Sequence, residues 1–69
     1  MMNKSKFYQV EIDRETSERA GAGGMFQVVQ ITDEDGNDYT HEVDQGVHYP
    51  DLEALAKDLG VSVDHLKIV

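Results

Sequence analysis

The chain contains no cysteine. That single absence removes disulfides and thiolate metal sites together, and it suits a reducing compartment better than a secreted setting. Aromatic residues are scarce, limited to Phe7, Tyr8, Phe26, Tyr39 and Tyr49, so Val, Ile and Leu have to fill most of the interior. No apolar run approaches the roughly 20 residues that cross a bilayer. The first six residues carry two lysines with no apolar stretch behind them, which is not the pattern of a signal peptide. A cytoplasmic location is the expectation. Basic residues are also in short supply: six Lys and Arg stand against fourteen Asp and Glu, for a net charge of -8. A surface of that sign repels nucleic acid and anionic lipid, which seek cations.

With 69 residues the chain forms one domain, 1–69, and a domain this short buries only about 60% of the surface its unfolded form exposes. A hydrophobic content of 39% is enough for a thin core. Residues 6–13 alternate in the strand sense, with Tyr8, Val10 and Ile12 on one face and Gln9, Glu11 and Asp13 on the other. Residues 14–24 turn polar and end in three glycines within four positions, which predicts a flexible glycine-rich loop. A second strand is expected over 25–32, a turn over 33–37, and a third strand over 38–44 with Tyr39, His41 and Val43 on one face. The glycine-containing turn between the last two strands predicts a β-hairpin.

Pro50 suits the first turn of a helix, and Asp51 and Glu53 lie near the positive end of its dipole. Leu52, Leu55, Ala56 and Leu59 form an apolar stripe at helical spacing, and Gly60 closes the helix. The tail, 61–69, reads equally as a short helix capped by Ser62 or as a final strand. The fold class predicted is therefore α+β: a small antiparallel three-stranded sheet, one packed helix, and a short C-terminal helix or strand.

Few constellations carry chemistry. Asp33, Asp35 and Asn37 resemble the opening of an EF-hand calcium loop, but that loop needs glycine at its sixth position and Glu at its twelfth, where Asp38 and Asp44 stand. The stretch 21–24 resembles a phosphate loop in composition alone, because a strand follows it instead of a helix and no Lys-Ser/Thr pair accompanies it. His41, His48 and His65 lack the spacing of metal ligands, and Ser5, Ser17 and Ser62 have no nucleophile-elbow context. The acidic residues are plentiful, but an acid/base dyad needs burial to split its two pKa values. The expectation is a protein that is not an enzyme and takes no cofactor or metal.

Residues 52–69 resemble the helix-turn-helix of many bacterial DNA-binding proteins. Ala56 stands at its small packing position, Gly60 at its turn, Leu66 six residues beyond, and Leu55, Leu59 and Val63 at its buried sites. The resemblance implies a second helix that would read DNA. That helix would present Asp64, His65 and Lys67, with no Arg, Asn or Gln to address base edges.

The most informative feature is where the charge sits. Residues 1–32 hold four acids and four bases, and residues 59–69 hold one of each. Residues 33–58 hold nine acids and a single base, Lys57, so the whole net charge lies in this stretch. A docking surface for a basic partner explains such concentration, since complementary potentials speed encounter and fix register. Basic grooves are mostly nucleic-acid channels, which spaced carboxylates can enter in place of phosphates. In size and charge the chain resembles small phage proteins that inhibit host defence complexes, including CRISPR and restriction complexes. The residues expected to meet a basic, nucleic-acid-binding partner are Asp33, Glu34, Asp35, Asp38, Glu42, Asp44, Asp51 and Glu53. A DNA-binding helical pair and an adaptor that recruits another chain through an open strand edge are the alternatives.

Overall fold

A computed structural model describes residues 2–69 and shows a two-layer α+β fold. Strand β1 (Tyr8–Asp13) is central, β2 (Gln27–Asp33) pairs with it antiparallel, and β3 (Leu66–Ile68) pairs with it in parallel on the other side. The sheet is therefore mixed, and the purely antiparallel arrangement expected from sequence is corrected. The reason lies in the path of the chain: the helix carries it back to the starting end of β1, so the last strand runs alongside β1.

In β1 the alternation holds, with Tyr8 and Val10 buried and Gln9 and Glu11 exposed. In β2 it breaks. Val28 and Ile31 are both buried although they lie three residues apart. The register passes from Glu11↔Gln30 to Ile12↔Val28, which leaves Val29 as the extra residue of a β-bulge. That extra residue explains why Val29 and Gln30 are exposed in succession.

Residues 14–24, expected to be loop throughout, contain a short helix, α1 (Glu15–Arg19). Asp13 prepares it: its Oδ1 accepts from the Thr16 amide at 3.1 Å and its Oδ2 from the Thr16 hydroxyl at 2.7 Å. Gly21, at φ 81°, takes the left-handed backbone that follows a helix end.

The main helix, α2 (Leu52–Leu59), is built by its caps. Asp51 is the N-cap and accepts from the Ala54 amide at 2.8 Å, so Pro50 lies just outside the helix and not in its first turn. Gly60 ends it at φ 73°, and the Val61 amide reaches back to the Ala56 carbonyl at 3.1 Å. Leu55 and Ala56 face Tyr8, Val10, Val28, Ile31 and Leu66 in one core. The buried Tyr8 hydroxyl donates to the Asn3 carbonyl at 2.9 Å and accepts from the Asn3 amide at 2.8 Å, which folds the N-terminal segment over that core. Met2 is buried there.

The third strand expected over 38–44 does not form. One β-bridge joins Thr32 to Asp38, and a turn of 3-10 helix occupies Thr40–Glu42. The hairpin is thus reduced to its turn and a single bridge. The physical reason is competition from side chains. The Asp38 carboxylate takes the Thr40 amide at 2.7 Å, and the Thr40 hydroxyl takes the Ile31 amide at 3.0 Å, so neither amide enters a ladder. The tail resolves as both of its readings in turn: a 3-10 helix at Val63–His65, then β3. No second α-helix follows Gly60, so the geometry implied by the helix-turn-helix resemblance is absent. Among the described residues no helix is long and apolar enough to cross a membrane.

Candidate functional site

Segment 38–49 runs along the outer edge of β2 and covers it. The Tyr39 amide donates to the Ile31 carbonyl at 2.8 Å, and Gln45 Nε2 donates to the Val29 carbonyl at 3.0 Å. At the far end Phe26 and Tyr49 exchange both backbone hydrogen bonds, at 2.9 and 2.7 Å. This course sets the positions of the carboxylates. Asp33, Glu34, Asp35 and Asp38 cluster where β2 finishes, while Asp44 and Asp51 lie near its start. Glu42 falls between. A seven-residue strand spans about 20 Å, so the acids form a line along one edge and not a single patch. Glu53 is exposed in the first turn of α2.

The eight residues differ in what they are free to do. Asp33 is only 5% exposed. Its Oδ1 accepts from the Asp35 and Asn37 amides, each at 2.9 Å, and its Oδ2 from Asn37 Nδ2 and Lys6 Nζ, each at 3.1 Å. Burial on its own would raise the pKa of this carboxyl. The hydrogen bonds from Asn37, Lys6 and the Asp35 amide outweigh it and hold the group well below the usual carboxylate range. Asp33 is the anchor of the turn and presents no carboxylate to a partner. Lys6 also reaches Asp35 at 3.2 Å, and its own pKa is raised by the bonds to Asp33 and then Asp35.

Glu34 accepts from the Phe7 amide at 3.2 Å. Asp38, Asp44 and Asp51 are exposed, and each spends its Oδ1 on a nearby amide: Thr40 at 2.7 Å, Gly46 at 2.9 Å and Ala54 at 2.8 Å. The bonds to Thr40 hold the Asp38 carboxyl below its ordinary value. The second oxygen of Asp38 accepts from Gln30 Nε2 at 3.5 Å. Glu42 lies 3.8 Å from His41.

Of the side chains of Lys4, Lys6, Arg14 and Arg19, only that of Lys6 forms an ion pair with the acidic segment among the described residues. Arg19 pairs with Glu15 within α1, and Arg14 lies over the Phe26 ring, 5.6 Å from its centroid. Lys4 makes no ion pair among the described residues.

Three arrangements were not anticipated from sequence. Asp58, on α2, accepts from the Tyr49 hydroxyl at 2.9 Å, and burial together with that carboxylate pushes the phenol up to about 12. Ser17 is fully buried, and its hydroxyl meets His48 Nδ1 at 2.7 Å, tying α1 to segment 38–49. With Ser17 out of reach of solvent, this pair acts as a tether between the two segments. The third is a groove of about 370 Å³ beside β1 and β3, lined by Phe7, His65, Glu34, Asp64 and Lys67 among others. The exposure of Phe7, on the opposite side of β1 from Tyr8, is the signal that could have revealed it. No group of three or more His, Asp or Glu among the described residues is placed to hold a metal ion.

Compared with family models, with curated proteins and with solved structures, the chain matches none of them.

Proposed function

We propose that this protein is a non-enzymatic binding domain that lays its acidic β2 edge on a basic, nucleic-acid-binding protein and competes there with phosphates. The observation that carries this reading is the concentration of charge. Segment 33–58 has nine acids and one base, and of Lys4, Lys6, Arg14 and Arg19 only Lys6 forms an ion pair with that segment among the described residues. The local fixing of Asp38, Asp44 and Asp51 adds to it. A carboxylate already held by an amide loses less freedom on binding, so more of the electrostatic attraction survives as affinity.

The loss of a second C-terminal helix removes the support for a DNA-reading helical pair. The protein itself should give no mobility shift with duplex DNA at low salt.

The test is to purify a basic partner captured from the source cells and to measure its affinity as a function of salt. Binding should fall steeply between about 50 and 500 mM salt, and duplex DNA should displace the protein. The double reversal Asp35→Lys with Glu53→Lys should weaken binding by about tenfold or more. Neither residue is buried, so the fold should survive, as circular dichroism would verify. Affinity indifferent to salt, to DNA and to the double reversal removes the proposal.

A further inference from the structure

The groove at the β1–β3 edge is unusual for so polar a chain. Phe7 is 54% exposed, and its ring lies 4.4 Å from that of His65 with a 34° tilt between the planes. His65 Nδ1 is buried without a hydrogen-bond partner among the described residues. Glu34 and Asp64 line the same groove, and Lys67 offsets one of those two charges. An exposed aromatic ring flanked by two carboxylates matches one common side chain. A guanidinium stacks on aromatic rings and forks its N–H groups toward carboxylates, which a lysine ammonium cannot do in the same way. A second copy of this chain is a poor occupant, because each copy carries -8. A nucleobase would also stack on Phe7, but its phosphates would meet Glu34 and Asp64.

We infer that the Phe7–His65 groove receives an arginine side chain from an extended segment of the partner. The inference rests on the reading above for the basic character of that partner, and it adds a second contact point, which adjoins the end of the acidic edge through Glu34. Phe7 supplies the stacking face, and the carboxylates of Glu34 and Asp64 accept the guanidinium N–H groups.

The experiment is a titration of isotope-labelled protein with the blocked peptide acetyl-Gly-Val-Arg-Val-Gly-amide, followed by amide chemical shifts. Lysine and citrulline peptides serve as controls. Shifts should concentrate at Phe7, Gln9, His65 and Lys67. The lysine peptide should bind about fivefold more weakly, and the neutral citrulline peptide should leave the groove unshifted. Phe7→Leu keeps the apolar bulk and should weaken the arginine peptide about fivefold. Glu34→Gln and Asp64→Asn should each weaken it about threefold, whereas Glu53→Gln should change nothing. Equal binding of the arginine and citrulline peptides, or shifts confined to residues 38–53, would overturn the inference. The second of those results would leave the acidic edge standing. Conversely, groove shifts combined with a partner affinity untouched by the Asp35→Lys, Glu53→Lys reversal would remove the edge reading alone.

Discussion

The two edges of this sheet are finished in different ways. Along β2 the free backbone groups are met by an irregular segment, partly through main chain at Phe26, Tyr49 and Tyr39 and partly through the side chains of Thr40 and Gln45. Along β3 nothing comparable is present among the described residues. That strand is three residues long, stands at the edge of the sheet, and has Lys67 at its centre. Short length and a lysine are both devices that discourage edge-to-edge pairing. One edge is closed by covering it, and the other is protected by making it a poor template. The comparison shows that a sheet edge can be completed without a strand when the neighbouring loop supplies hydroxyl and amide side chains at the right register.

The contrast can be broken at the covered edge. Tyr49→Ala removes a buried ring packed against Phe26, along with the bond to Asp58, and should cost roughly 3–5 kcal/mol. In so small a domain that should appear in urea denaturation as near-complete loss of the cooperative transition. Acid should weaken the same edge at its other end. The carboxyl of Asp33 is held below its unfolded value, so the stability it contributes is complete above about pH 4 and is lost as pH falls through the folded value. The urea midpoint should therefore drop between about pH 5 and pH 2, and the drop should be shallower in Asp33→Asn, which has no proton to bind. An equal slope in both proteins would show that Asp33 is not the group responsible.

Smaller effects are expected from single side chains at either edge. Thr40→Val keeps the shape but leaves the Ile31 amide without its acceptor, at a cost of about 1–3 kcal/mol in chemical denaturation. A cost below about 0.5 kcal/mol would mean that water replaces the hydroxyl and that the edge is open to solvent at this point. At the open edge Lys67→Thr should change stability by less than about 0.5 kcal/mol. Light scattering at high protein concentration should instead detect self-association in that variant and none in the parent. Monomers in both would show that length alone guards β3.

What was legible in the sequence follows from how local each interaction is. The helix could be placed because Asp51, the Leu52-Leu55-Leu59 spacing and Gly60 act within a few residues of one another. The alternation of Tyr8, Val10 and Ile12 revealed β1 for the same reason. The third strand misled because Tyr39, His41 and Val43 do alternate, while the bonds from Asp38 to Thr40 and from Thr40 to Ile31 that divert the backbone leave no periodic trace. The acidic line was half visible. Its charge count could be read directly, but the removal of Asp33 from the surface depends on Lys6, which lies far away in sequence. The pairing of Ser17 with His48 and the meeting of Phe7 with His65 are equally remote, and no spacing rule reaches them.

The parallel register of Tyr8 with Leu66 and Val10 with Ile68 has a consequence for the order of folding. Nearly the whole described chain must be looped out before β3 can find β1, whereas β1 and β2 are separated by one short helix and a turn. Closing the longer loop costs more chain entropy and returns only three residues of pairing. The two-stranded unit and α2 should therefore assemble first, with β3 docking last and fraying first, which native-state hydrogen exchange at the Val69 amide would time directly.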